Sequence, residues 1–435
     1  MPSETTPHQP PTPSDLRWLR RFRRSIAQRT PDLVSLIESE LGKAPFESLT
    51  SDLVPLLASC RWHEKHARRV LRPRRARGRS IWQLGQRHTI HHAPLGHVAI
   101  IATWNYPVQL LGIQLVQALV AGNRVTVKPS ERSPRTHAVL LDLAHDAGVP
   151  ESRLSRTEAT RAAGESLLRD HAFDHVVFTG STAVGRAIAS RLGESLTPVT
   201  LELSGCDSAI VLADADLDLA ARSIALACAL NRGQTCMAPR RVIVAGSVAD
   251  EFERLLRARL DRRVLPGAID PDERRRTDDL LRGSGLADPD HATVQVARCD
   301  PSSPLARGEH FGPGAALLVA DSDEHALELH RSYPQHLATS LFTRNTRRAR
   351  TIAPTLPANT LTINDAVIPT AHPGVPITGR GPSGHTPSRG EPGLLAMTRP
   401  VVVSTTRARL RTPLDPPDER TQARLTAFVR WWYSR

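Results

Sequence analysis

The stretch Pro94-Leu95-Gly96-His97-Val98-Ala99-Ile100-Ile101-Ala102-Thr103-Trp104-Asn105-Tyr106-Pro107 decides how this chain folds. Its apolar middle, His97–Thr103, has the length of a buried strand, and Pro107 opens the helix-like pattern Val108–Val120, because proline suits a first helical turn and cannot extend a central strand. Downstream, Arg124–Val127, Thr136–Ala147, Asp174–Phe178, Val184–Leu192 and Val199–Leu203 read in turn as strand, helix, strand, helix and strand. Strands joined through crossover helices imply a parallel sheet covered on both faces, here reaching to about Ser204. A second unit begins at Ser208–Leu212 and continues through Leu217–Leu230, Arg241–Val244 and Val248–Leu260. After Leu265–Pro289, whose Pro, Gly, Asp and Arg read as a surface connection, the alternation resumes at Ala316–Val319, Glu324–Arg331, Leu337–Phe342 and Thr346–Ile352. Upstream, Ser14–Arg79 is helical, with Ser14 as N-cap and Pro73 and Gly78 as stops. Two α/β lobes around a cleft are the expected plan.

The 435 residues suffice for about three domains, and 40% hydrophobic with 23% charged residues is globular composition. No apolar run approaches the roughly 18 residues of a membrane span. The polar, proline-rich residues 1–13 are expected to be disordered; they lack the pattern of a signal peptide, which suggests a cytoplasmic product. Five cysteines without CxxC spacing argue for reduced thiols and against a disulfide framework or a metal site. The net charge is +13, yet among 57 basic residues only Lys43, Lys65 and Lys128 are lysines. The arginines run along the whole chain, so the bias reads as compositional and no nucleic-acid partner is expected. Even the dense run Arg68–Arg79 reads as a solvated helix end and loop.

Chemistry gathers at four places. In the loop Asn231-Arg232-Gly233-Gln234-Thr235-Cys236-Met237-Ala238-Pro239, Cys236 should be accessible, whereas Cys228 lies inside a helix as a small core residue. A lone cysteine is more often inert than reactive. Glu202, flanked by Leu201 and Leu203, is costly to bury unless it serves as a base or pairs with an arginine. Asn105, at a strand end before a proline-started helix, can aim its amide into the crevice at the carboxyl edge of the sheet, although Trp104–Pro107 alone is simply a turn. Phe178–Gly185 runs from strand through a glycine turn into a helix, whose free N–H groups would suit a phosphate.

Together these segments resemble the aldehyde dehydrogenase superfamily, over roughly Pro94–Pro400. PLGHVAIIATWNYP, AGNRVTVKPSE, FTGSTAVG, VTLELSG, NRGQTCMAPRRV, EHFGPG and the remnant GRGPSG stand in the family's order, with 23 residues from Asn105 to Lys128 and 34 from Glu202 to Cys236. The resemblance implies an α/β fold: a doubly wound NAD-binding domain (14–204), an α/β catalytic domain (205–394) and a C-terminal strand and tail (395–435). A small bridging β-element used for dimerisation would come from Ile81–His92 and Leu395–Thr405. It implies Cys236 as nucleophile, Asn105 and the Cys236 N–H as oxyanion hole, and Glu202 as general base. Lys128, Ser130 and Glu131 would lie at the adenosine ribose, Gly180 and Ser181 at the diphosphate, and Glu309 at the nicotinamide ribose with Phe311 near its ring. NAD is the implied cofactor, with NADP as the alternative because Arg132 adjoins Glu131; a small aldehyde is the implied substrate and a homodimer the implied assembly.

The chain also departs from the family. LELGGK becomes Leu201-Glu202-Leu203-Ser204-Gly205-Cys206, the last glycine-rich block becomes Pro376-Ile377-Thr378-Gly379-Arg380-Gly381-Pro382-Ser383-Gly384, and only 73 residues separate Cys236 from Glu309. Those departures motivate a second reading, a silent dinucleotide-binding or scaffold protein; within the enzyme class the alternative is a CoA-acylating enzyme, which would not need Glu202.

Overall fold

A computed structural model describes residues 16–76, 86–286, 289, 292–334, 337–406 and 416–434. Residues 1–13, the expected cap Ser14, the stop Gly78 and Ile81–Gly85 of the expected bridging strand lie outside them. Strands β1 (Arg74–Arg75) and β2 (Gln86–Pro94) precede the first α/β unit, made of β3 (His97–Ile101), β4 (Arg124–Lys128), β5 (Leu154–Arg156), β6 (His175–Gly180) and β7 (Val199–Leu203). The second unit holds β8 (Asp207–Val211), β9 (Pro239–Ala245), β10 (Gln295–Arg298), β11 (Gly314–Ala320), β12 (Ala338–Phe342) and β13 (Thr360–Ile363), followed by β14 (Gly384–His385) and β15 (Thr398–Thr406).

The first sheet is ordered β14-β7-β6-β3-β4-β5, parallel except for β14. Its first strand, β3, lies between β4 and β6, so the winding reverses there, and open α/β sheets bind ligands outside the carboxyl ends at such a reversal. Ile101 stands in register with Lys128 on one side and Phe178 on the other, which brings the ends of β3, β4 and β6 to one edge. The second sheet, β10-β11-β9-β8-β12-β13, is parallel throughout. In the third, β2 pairs antiparallel with both β1 and β15, so the two expected bridging segments do meet.

The helix Pro107–Val120 is buried on every face because it runs between the first sheet and the N-terminal helices. Leu19, Phe22 and Leu56 from those helices share one core with Val98, Val127, Leu111 and, from far downstream, Leu394 and Met397. Gly384 pairs with Glu202, and Leu394 and Met397 join the first core, so parts of the stretch assigned to a catalytic domain ending at 394 return to the first lobe, while Ser388 pairs with Ile377. A second correction concerns Leu265–Pro289. It contains the helix Pro271–Arg282, capped by Asp270 and seated through Thr277 and Leu281. The preceding turn is pressed against Gly42, whose carbonyl accepts from the Ala268 N–H at 3.2 Å; a Cβ at Gly267, with φ +88°, would come to 1.9 Å from that oxygen.

Candidate active site

Asn105 lies four residues past the end of β3 and is buried. Its Nδ2 donates to the Gln234 carbonyl at 3.1 Å, and its Oδ1 accepts from the Thr103 hydroxyl at 3.2 Å. This places the amide against the loop that bears Cys236, two residues before the thiol. Tyr106 adds a second tie: its hydroxyl meets Thr235 Oγ1, which itself donates to the Leu230 carbonyl.

The loop itself takes an uncommon path. Asn231, Arg232 and Gly233 have φ of 49°, 54° and 77°, a left-handed run that side chains disfavour. It persists because remote groups hold it. Asn231 N donates to Glu47 Oε2 at 3.2 Å and Asn231 Nδ2 to the Asn105 carbonyl at 3.0 Å. Gln234 Nε2 reaches the Ala268 carbonyl at 3.3 Å and its Oε1 accepts from Asp270 N at 2.9 Å. Behind the loop Arg240, only 1% exposed, donates to the carbonyls of Gly233 (2.6 Å), Thr235 (3.0 Å) and Gly312 (3.2 Å). The expected surface connection is thus part of the brace around the candidate nucleophile.

Cys236 is half-buried beside Met237, Leu337, Ala338 and Ile377. Burial, joined by the charges of Glu202 and then Asp207, pushes its thiol up to about 12, while Arg389 and Arg240 pull the other way. Glu202 is half-buried on β7, between Thr179 of β6 and Gly384 of β14. Among the described residues it forms no salt bridge; the buried guanidinium of Arg389 acts on its charge. The exit from β7 packs on the thiol loop so closely that a Cβ at Gly205 would lie 2.7 Å from the Cys236 carbonyl oxygen. The Asn105 amide thus bonds the loop that bears Cys236, and the charge of Glu202 acts on the Cys236 thiol.

The departures have local partners. Arg241 Nη1 lies 3.0 Å from the Cys206 sulfur, so a guanidinium stands beside the residue replacing the family's lysine. Ile377 is buried next to Cys236 and bridges to Ser388. Two groups escaped the sequence reading. Arg389 has φ 63° and donates from Nη1 to the Thr370 carbonyl at 3.0 Å, beyond any motif that would single it out. Asp207 is buried, accepts from Leu337 N at 2.7 Å, and is raised by burial to about 7.

The expected cofactor residues line the edge where the first sheet reverses. Lys128 Nζ pairs with Glu131 Oε1, and that bond holds the Glu131 carboxyl below its usual range despite the opposing effect of burial. Ser130 N donates to His137 Nδ1 at 3.0 Å; burial lowers that imidazole to about 4, leaving it neutral and able to accept. Ser181 caps the helix Thr182–Glu194 and is exposed, with Gly180 half-buried before it. Across the cleft, half-buried Glu309 and Phe311 precede β11. The Phe311 ring lies 6.0 Å from Trp104, edge to face, and Arg132 is held by Asp270 at 3.0 Å with its guanidinium 4.8 Å from the Trp104 ring centroid.

These features define a two-lobed α/β enzyme with a thiol, an amide and a carboxylate at the join of its sheets. A profile of the Aldehyde dehydrogenase family matches residues 9–274 and 291–403. A putative succinate-semialdehyde dehydrogenase [NADP(+)] of Mycolicibacterium smegmatis is 28% identical over 428 residues, covering 92% of this chain and 81% of that protein. The 4,4'-diapolycopene-4,4'-dial dehydrogenase of Cytobacillus firmus is 29% identical, covering 88% and 87%. Among solved structures, Staphylococcus aureus AldH in a substrate-bound state superposes with a TM-score of 0.88 at 25% identity, covering 97% of this chain and 96% of its own. A Mycobacterium tuberculosis aldehyde dehydrogenase complexed with NAD+ shares the fold at a TM-score of 0.85 and 24% identity, covering 96% and 88%. The chain belongs to the aldehyde dehydrogenase family, and that membership makes it an NAD(P)-dependent oxidoreductase of aldehydes.

Proposed function

We propose that this enzyme oxidises an aldehyde to the free carboxylic acid through a covalent adduct on Cys236, with NAD as its cofactor. The observation that carries the reading is the convergence at one loop. The Asn105 amide is bonded two residues before Cys236, and the charge acting most strongly on the thiol is that of Glu202.

The edge residues fit a dinucleotide. Lys128, Ser130 and Glu131 would hold the adenosine ribose, the exposed helix start at Gly180 and Ser181 the diphosphate, and Glu309 and Phe311 the nicotinamide end. Glu131 carries a negative charge where a 2′-phosphate would fall, which favours NAD over NADP. Bound there, the dinucleotide supplies the acceptor for the hydride leaving the aldehyde carbon.

The remaining chemistry belongs to the chain. A thiol held protonated near neutral pH attacks through its minor thiolate form, whose proton passes to solvent, which leaves Glu202 ionised for the later step. The sulfur adds to the carbonyl carbon while the Asn105 amide and the Cys236 N–H receive the oxygen as it becomes negative. Loss of hydride leaves a thioester on Cys236. Glu202 then takes a proton from water, the hydroxide displaces the sulfur, and the acid departs. Transfer to CoA would leave this carboxylate without a task. We further place the homodimer contact on the small sheet, where β15 is an edge strand exposing Val402 and Val403. All five cysteines are free thiols, which fits a reducing compartment such as the cytoplasm.

The test is aldehyde-dependent NADH formation by the wild type and Cys236→Ala, with the product assayed as free acid. Loss of turnover in a variant that melts normally is expected. Turnover surviving the substitution overturns the assignment, and a wild type that binds NAD without turning over any aldehyde marks a silent protein.

A further inference from the structure

Lys43 is one of three lysines in the chain and is 2% exposed, in the short link that follows the helix Thr30–Leu41. Its ammonium bonds Asp52 Oδ2 at 2.5 Å and the Asn105 carbonyl at 3.2 Å, and lies 3.7 Å from the centroid of the Tyr106 ring. Asp52 Oδ1 in turn accepts from the N–H groups of Val108 and Gln109, at 3.2 Å each. One buried ion pair therefore grips the chain immediately after the Asn105 side chain: its own carbonyl, the next ring, and the first turn of the helix Pro107–Val120. Asn231 Nδ2 supplies the other bond to the Asn105 carbonyl, so the same oxygen joins the N-terminal helical layer to the Cys236 loop. A compact ammonium can spread its three donors over these partners, where a planar guanidinium presents a flat fork.

We infer that Lys43, locked by Asp52, is a positioning residue that holds the Asn105 amide where it meets a developing oxyanion at Cys236. The inference rests on the reading of Asn105 given above and adds a component from outside both sheets. An amide displaced by about 1 Å loses most of its effect on a transition state. Geometry rather than charge on the substrate is therefore what Lys43 contributes.

The experiment is a double-mutant cycle on the full chain with NAD. Lys43→Met/Asp52→Asn, which removes both charges and keeps an acceptor for Val108 and Gln109, is made in the Asn105 and Asn105→Ala backgrounds; Lys43→Met is made alongside. In the Asn105 background we expect kcat to fall about 10- to 100-fold with KM within about threefold. In the Asn105→Ala background the same replacement should change kcat less than about threefold. Iodoacetamide alkylation of Cys236, which needs no oxyanion donor, should stay within about twofold. Equal losses in both backgrounds, or alkylation falling in step with kcat, overturn the inference. Should Lys43→Met alone fail to fold, the charge-free pair remains the measured variant, its melt confirming the native state. A wild type that turns over neither an aldehyde nor p-nitrophenyl acetate overturns the functional reading and this inference with it. A normal wild type with an unaffected pair variant overturns the inference alone.

Discussion

Replacing Asn105 with alanine separates catalysis from stability. The substitution removes the amide and so two hydrogen bonds, to the Gln234 carbonyl at 3.1 Å and from Thr103 at 3.2 Å. At about 1 kcal/mol net for each, the folded state loses about 2 kcal/mol. The backbone carbonyl stays, with its bonds from Lys43 and Asn231, so the turn keeps its path. In the transition state the loss is larger: one missing oxyanion donor lowers kcat about 10²–10³-fold, equivalent to about 2.7–4 kcal/mol. NADH absorbance at saturating NAD measures kcat and KM, and a thermal melt on the same preparation measures the fold. A melt lowered by only a few degrees beside a two- to three-decade fall in kcat is expected. A kcat within about threefold of wild type, with the melt unchanged, would refute the assignment of Asn105 and the chemistry built on it.

Three more outcomes follow. Glu202→Gln should leave the first turnover largely intact and slow hydrolysis of the acyl-enzyme about 10²–10⁴-fold, seen as a burst of NADH followed by a slow steady state; absence of the burst would move Glu202 to thiol activation. Glu131→Gln should cut the NAD-over-NADP ratio of kcat/KM by about tenfold, since the Lys128 ammonium then faces a 2′-phosphate without its carboxylate partner. Asp207 keeps its proton to about pH 7 when folded, against about 4 when unfolded. The native state then binds more protons across that window, so stability falls as pH rises through it. Melts of Asp207→Asn should lose part of that decline, and identical pH profiles for variant and wild type would show the group to be ionised when folded.

The parallel core was legible because strands such as His97–Ile101 and Asp207–Val211 are covered on both faces and read as apolar runs. The helix Pro271–Arg282 was not, since only Thr277 and Leu281 of its twelve residues are buried and periodicity had little to register. Its signal lay in local chemistry: an Asp270 cap, a proline in the first turn and acidic residues after it. The convergence of Asn105, Glu202 and Cys236 was readable only through the order and spacing of several segments. The Lys43–Asp52 pair had no such pattern. Its contacts with the turn at Asn105 join positions about sixty residues apart, and the one clue was a lysine in a chain that otherwise uses arginine.

The left-handed path of Asn231–Gly233 makes the nucleophile's loop depend on three separate layers of the fold. On its own the segment would relax, since each non-glycine residue in that conformation costs roughly 1–2 kcal/mol. Glu47, Asn105 and Arg240 tie it down from the amino-terminal layer, the first sheet and the second. A chain with both sheets formed but its amino-terminal helices undocked would look native by circular dichroism and still be inert. Recovery of turnover during refolding would then time the docking of those helices, separately from the recovery of secondary structure.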